Sequence, residues 1–286
     1  MNILVTGAYG QLGSEMKVIS AQFSQYNFIF TDVDTLDICN ESALRVFFSH
    51  HRIHYIVNCA AYTAVDKAED DAETAHKINC DAVENLARMA VEHSAKMIHI
   101  STDYVFDGTN YLPYTESVTP CPHTVYGKSK LAGEKIALST APQHTVIIRT
   151  SWLYSSFGNN FVKTILKLGV ERDSLHVIFD QVGTPTYAAD LAVAIMQVVT
   201  AQEFIPGVYH FSNEGVCSWY DFTIAIHRAA GISTCKVLPI ESSQYPAKTP
   251  RPHYSVLNKA KIKTNYHFEI PHWENGLQRC IALLVQ

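Results

Sequence analysis

Short aliphatic and aromatic runs alternate with stretches of helical period over residues 1–150, and this alternation predicts strands and helices in turn. Asn2–Thr6 is a β-branched and aliphatic strand, followed by a helix from about Gln11. Further strands are expected at Phe28–Thr31, Tyr55–Asn58, Met97–Ser101 and His144–Arg149. Between them, Glu41–Ser49, a long stretch from Val65 to Glu92 and Tyr126–Leu138 have helical character. Strands separated by helices argue an α/β fold with a Rossmann-like, doubly wound parallel sheet. Ligands then bind at the carboxyl ends of the strands.

Beyond residue 150 the alternation weakens. Phe161–Gly169 is expected as helix and Leu175–Phe179 as strand, with a polar turn over Asp180–Thr186. Ala188–Thr200 is a helix that can return to the first layer, and Val208–Phe211 is a strand. Trp219–Ala230 is an amphipathic helix, Lys236–Pro239 a short extended piece, and His272–Leu284 a terminal helix. Pro246, Pro250 and Pro252 make Gln244–Tyr254 a loop, and Arg251 sits in it.

Composition narrows the functional classes. A chain of 286 residues that is 47% hydrophobic and 17% charged can bury a large core. A formal net charge of −5, with no basic block, gives no electrostatic case for nucleic acid or an anionic membrane. No apolar run approaches the ~20 residues that span a bilayer. Met1-Asn2 runs straight into a strand, so no secretory leader is expected, and a cytoplasmic protein is the expectation. The seven cysteines include no Cys-x-x-Cys pair, as suits reduced, packed thiols.

Two local features carry the chemistry. Gly7-Ala8-Tyr9-Gly10-Gln11-Leu12-Gly13 follows a strand and opens a helix. Gly7 permits a tight turn, Gly10 leaves room for a diphosphate on backbone N–H groups, and Gly13 lets the helix pack closely. Asp32 ends the second strand, where a carboxylate can hold an adenosine ribose. Its charge repels a 2′-phosphate and no arginine stands nearby, which favours NADH over NADPH. Asp37-Ile38 can flank the adenine, and small Ala60-Ala61 at a strand end admits a cofactor. The second feature is Tyr126 and Lys130, four residues apart on one helical face. Alone, such a pair is an ordinary helix-surface contact. Downstream of a nucleotide-binding unit it suits acid–base work, with the ammonium lowering the phenol's pKa. Thr102, at the end of the fourth strand, would orient a substrate oxygen near Tyr126.

Together these residues resemble the extended short-chain dehydrogenase/reductases, and more closely the dTDP-4-dehydrorhamnose reductases. The carrying segments are Val5–Gly13, Asn58–Asp66, Ser101–Gly108, Tyr126–Lys130, Arg149–Trp152, Asp180-Gln181 and Arg251-Pro252. The resemblance implies a nucleotide-binding domain over 1–150, with 187–210 returning to it, and a smaller substrate-binding domain over 151–186 and 211–286. It implies reduction of the 4-keto group of dTDP-4-dehydro-L-rhamnose by NADH or NADPH. Thr102, Tyr126 and Lys130 match the catalytic set, and Thr102, Asp103, Tyr104, Trp152 and Arg251 the substrate contacts. Gly10, Gln11, Leu12, Asp32, Ala61, Tyr62, Thr63, Tyr126 and Lys130 match cofactor contacts. A dTDP-sugar is the partner implied, and a homodimer is left open. Some members bind Mg²⁺ between subunits through glutamates. Glu15 matches an early one, but Asp190 stands where a later one is sought, so Glu15 is the sole metal candidate. A nucleotide-sugar epimerase or dehydratase, and a non-catalytic subunit like the β-subunit of methionine adenosyltransferase, are the competing readings.

Overall fold

Six parallel strands form the centre of the computed structural model, which describes residues 1–285. The first half of the chain supplies β1 (Asn2–Thr6), α1 (Gln11–Ser20), β2 (Asn27–Thr31), α2 (Glu41–His50) and β3 (Tyr55–Asn58). Then come α3 (Val65–Ala68), α4 (Ala72–His76), α5 (Ala82–Glu92), β4 (Lys96–Thr102), α6 (Val125–Thr140) and β5 (Thr145–Thr150). The chain continues through β6 (Leu153–Tyr154), α7 (Phe161–Glu171), β7 (Ser174–Ile178), β8 (Val182–Gly183), β9 (Thr186–Tyr187) and α8 (Ala188–Thr200). It ends with β10 (Gly207–His210), β11 (Cys217–Ser218), α9 (Trp219–Ala230), β12 (Lys236–Ile240), α10 (Ala260–Tyr266) and α11 (Trp273–Leu284).

The central sheet runs β10-β5-β4-β3-β1-β2. Its order reverses between β1 and β3, which opens a crevice at the strands' carboxyl ends. Alternate strand residues bury on opposite faces. Ile3 and Val5 pack on one side with Leu12 and Met16 of α1 and Leu191 and Ile195 of α8. Leu4 and Ile56 pack on the other with Leu44 of α2 and Val83 and Leu86 of α5. A separate core joins α7, α9 and α11 around Phe222, Ile226 and Leu277. There β7 pairs with β12 in parallel, outside the central sheet.

The helical stretch expected from Val65 to Glu92 is not continuous. It breaks between α3 and α4, then passes through a π-helical segment, Lys77–Asp81, before α5. The bulge lets Asn79 bridge two elements. Its amide pairs with the Tyr62 main chain at 2.9 and 3.0 Å and donates to Ser129 Oγ at 3.0 Å. The expected polar turn after Phe179 holds β8 and β9, each only two residues long.

Candidate active site

The wall of the crevice is α6, and its position follows from local chemistry. Thr124 caps it, accepting the Gly127 N–H at 2.9 Å. Gly127 is needed for approach rather than for its backbone angle, because a Cβ there would lie 2.2 Å from the Tyr104 carbonyl. Tyr126 and Lys130 therefore lie close against the end of β4. Below them, Glu134 accepts from Arg149 of β5 at 2.6 and 2.9 Å and from Ser101 Oγ at 2.5 Å. This fully buried ion pair ties α6, β4 and β5 together.

Opposite stands the glycine loop. Gly7 has φ +67°, and a side chain there would run into the Ala60 main chain at 2.6 Å. Asp32 braces the loop: its carboxylate accepts from the Tyr9 N–H at 2.8 Å and the Val33 N–H at 2.9 Å.

Two cavities meet along this crevice, sharing Gly10, Cys59 and Ala61. The first, about 560 Å³, is lined by Gln11, Leu12, Thr63, Thr102, Asp103, Tyr104, Tyr126, Lys130 and Trp152 among others. The second, about 410 Å³, takes in Gly7, Asp32, Asp37, Ile38 and Ala60. Most of the residues singled out in the sequence are thus brought together. Gly13 packs beneath Gly7, and Tyr62 turns its hydroxyl to Asp71 at 3.3 Å. Arg251 lines neither cavity; it pairs with Asp66 at 2.8 Å. Others were not anticipated. Lys77, in the π-helical segment, lines the second cavity. Asn160 lines the first and caps α7, while its amide donates to Gln11 Oε1 at 2.9 Å. The sequence signal available for Asn160 was its N-cap position before an apolar helix.

Electrostatics in the first cavity are set by burial. Burial pushes the Tyr126 phenol up to about 12, with a hydrogen bond to Thr102 acting the other way. The expected lowering by Lys130 is absent, because Lys130 Nζ donates to the Ile100 carbonyl at 2.6 Å. Burial brings Lys130 down to about 8, against the charge of Glu134. Thr102 Oγ1 donates to Asp103 Oδ1 at 3.0 Å, and burial lifts the Asp103 carboxyl to about 7. Trp152 has φ +48° and stacks on Trp219 at 3.5 Å with planes 7° apart. One indole face is therefore covered by protein.

Glu15 is buried and accepts from Ser155 Oγ at 2.6 Å. Asp190 is held by Arg279 at 2.6 and 2.7 Å and by Asn213 at 2.7 Å.

A parallel sheet that opens on a glycine loop at its switch point, with Tyr-x-x-x-Lys on the helix facing it, marks the short-chain dehydrogenase/reductases, and the chain has that construction. Comparison with known proteins narrows the class: the chain belongs to the dTDP-4-dehydrorhamnose reductase family. A family model described as the RmlD substrate binding domain matches residues 1–286. A dTDP-4-dehydrorhamnose reductase of Aggregatibacter actinomycetemcomitans is 37% identical, the match covering 98% of each chain. The crystal structure of one from Clostridium acetobutylicum is 42% identical, covers 100% of both chains and has a TM-score of 0.95. Another, from Bacillus anthracis in complex with NADP, is 39% identical over 98% of each chain, with a TM-score of 0.94.

Proposed function

We propose that the protein reduces the 4-keto group of dTDP-4-dehydro-L-rhamnose to give dTDP-L-rhamnose. The observation that carries this reading is the convergence of Thr102, Tyr126 and Lys130 on one cavity that continues into the glycine cradle. A dinucleotide suits that cradle. The N-terminus of α1 offers backbone N–H groups with no side-chain cap, and a side chain at Gly7 would collide with Ala60. When bound, the reduced nicotinamide supplies the hydride. Gly7, Gly10, Gln11 and Leu12 would hold the diphosphate, and Asp32, Asp37 and Ile38 the adenosine.

The residues of the chain then do the rest. Thr102 orients the carbonyl oxygen. Tyr126 gives that oxygen its proton as charge develops, and a phenol with a raised pKa arrives with the proton in place. Lys130, its Nζ held by the Ile100 carbonyl in the same cavity, would hold the nicotinamide ribose, and the dry wall strengthens each of these interactions. Asp103, Tyr104 and Trp152 contact the sugar, Trp152 with the indole face and edge left uncovered by Trp219. Arg251 acts through Asp66, bracing the segment that carries Val65 into the first cavity.

NADH serves at least as well as NADPH in this reading, because Asp32 lines the adenosine cavity and no arginine does. Lys77 in the same lining keeps NADPH acceptable. The Glu15 cluster does not suit Mg²⁺: Arg279 already neutralises Asp190, and Glu15 is turned to Ser155. Turnover should be unchanged by EDTA.

The test is NADH oxidation by the purified protein with dTDP-4-dehydro-L-rhamnose, the product identified by NMR. Stoichiometric oxidation with formation of dTDP-L-rhamnose is expected. Cofactor retained through purification, with no net oxidation, would instead point to an epimerase or dehydratase.

A further inference from the structure

Lys130 connects to a line of buried polar side chains that the reduction as described leaves unused. Its Nζ lies 3.4 Å from Nε2 of His99, on β4. His99 Nδ1 lies 3.0 Å from Asn58 Nδ2, at the end of β3. Asn58 Oδ1 accepts from Thr6 Oγ1 at 2.7 Å and from the Ala60 N–H at 3.2 Å. Lys130, His99 and Asn58 are all essentially closed to solvent from outside the cavity, at 2%, 0% and 1% exposure.

The direction of each bond in this line can be deduced. A backbone N–H only donates, so the Asn58 atom facing Ala60 is the carbonyl oxygen, and the amide NH₂ is left for His99. His99 Nδ1 therefore accepts. Burial, and then the nearby Lys130 charge, keep the ring neutral. A neutral imidazole whose Nδ1 accepts carries its single proton on Nε2. The atom that faces Lys130 is thus an N–H. An ammonium has three donors and no lone pair, so it gains nothing from this neighbour and meets its positive end. A neutral amine can accept the N–H and still donate to Ile100.

We propose that Asn58 and His99 are positioning residues for the reductive site: by holding an imidazole N–H against Lys130, they weaken the lysine's hold on its proton. This rests on the reading of Lys130 as part of that site. Of the other groups around the lysine, Glu134 favours the charged form, and Arg149 takes up much of its charge. Tyr126 lies one turn earlier on α6. Asp103 and Cys59 line the same cavity, and burial raises the pKa of both.

Asn58→Asp reverses the line. A carboxylate accepts an Nδ1–H, the ring proton moves to Nδ1, and Nε2 offers its lone pair to the ammonium. His99→Leu removes the N–H that faces Lys130, so the ammonium no longer meets its positive end. Competitive acetylation with acetic anhydride across pH, read peptide by peptide by mass spectrometry, follows the deprotonated fraction of Lys130 without any substrate. The midpoint is expected near pH 8 in the unaltered protein. It should lie about one unit or more higher in both variants, and the pH–rate profile for NADH oxidation should move with it. Unmoved midpoints in the two folded variants overturn the proposal. Histidine-selective nitrogen NMR on the unaltered protein provides a check that needs no variant. A His99 signal with Nε2 protonated and Nδ1 bare supports the pair, and the reverse tautomer or an imidazolium overturns it. Sugar turnover with unmoved midpoints removes the pair and leaves the reductase reading standing. Moved midpoints without sugar turnover keep the pair and remove that reading.

Discussion

Around Tyr126 the crevice is walled by side chains bonded to one another in the dry interior, whereas around Asp32 it is walled by loops bonded to main chain. Glu134 holds Arg149 at 2.6 Å with 2% and 4% of their side chains exposed. Asp32, half-buried, holds the amides of Tyr9 and Val33 at 2.8 and 2.9 Å. In the interior a charge that loses its partner stays desolvated, so each substitution there is expensive. At the loop, water replaces much of what is lost. The first end therefore couples chemistry to folding, and the second alters binding with little effect on the fold.

Four substitutions sharpen or break this contrast. Tyr126→Phe should show the largest effect, a fall in turnover of ~10²–10⁴. NADH affinity measured by fluorescence titration should survive; near-normal turnover with chemistry rate-limiting would remove Tyr126 as the acid. Glu134→Gln leaves the Arg149 charge buried and unpaired, and should cost about 3–5 kcal/mol in urea melts. A loss no larger than that of a surface pair would mean the interior is wetter than described.

Asp103 gives the third effect through pH. Its Oδ2 is buried without a partner, and its carboxyl is lifted from 3.8 to about 7. The folded state therefore binds this proton more tightly than the unfolded chain. That stabilisation is complete below about pH 4 and is lost as pH rises to about 7, at up to ~1.4 kcal/mol per unit. Asp103→Asn should flatten stability across that window, and melts at several pH values that keep the wild-type slope would contradict it. The smallest effect is expected for Asp32→Ala. NADH affinity should fall roughly tenfold, or ~1.4 kcal/mol, NADPH affinity less, with melting temperature nearly unchanged. A strong NADPH preference in the unaltered protein would contradict the role given to Asp32.

The same contrast explains what could be read from the chain alone. The central strands and α8 were legible because each buries a periodic face, and Ala188–Thr200 and Trp219–Ala230 have the bounds expected. The strands β6, β8 and β9 were not, since two residues carry no period. Nor was α10, seven residues that bury only Ile262 and Tyr266. At the site, Thr102, Tyr126 and Lys130 were legible because a strand end and one helix face are local features. Lys77 was hidden by a π turn that periodicity does not reveal. The contact of His99 with Lys130 spans 31 positions and joins two elements, so no local pattern contains it. For the same reason the Tyr126 environment was misjudged: helical spacing placed Lys130 nearby but could not show that its ammonium turns to the Ile100 carbonyl.

The place of β10 beside β5 has a consequence for how the chain is made. The first five strands can assemble as they leave the ribosome, yet the free edge of β5 must wait for Gly207–His210 to be synthesised. At ~5–20 residues per second that wait lasts several seconds. During it, Val146, Ile147 and Ile148 lie on an open parallel edge, a template for pairing with any neighbouring nascent chain. A chain stopped at Thr150 should therefore be recovered in aggregates. Extending it through α8 and β10 should restore recovery in the supernatant, and equal recovery of the two lengths would show that the edge is protected by other means.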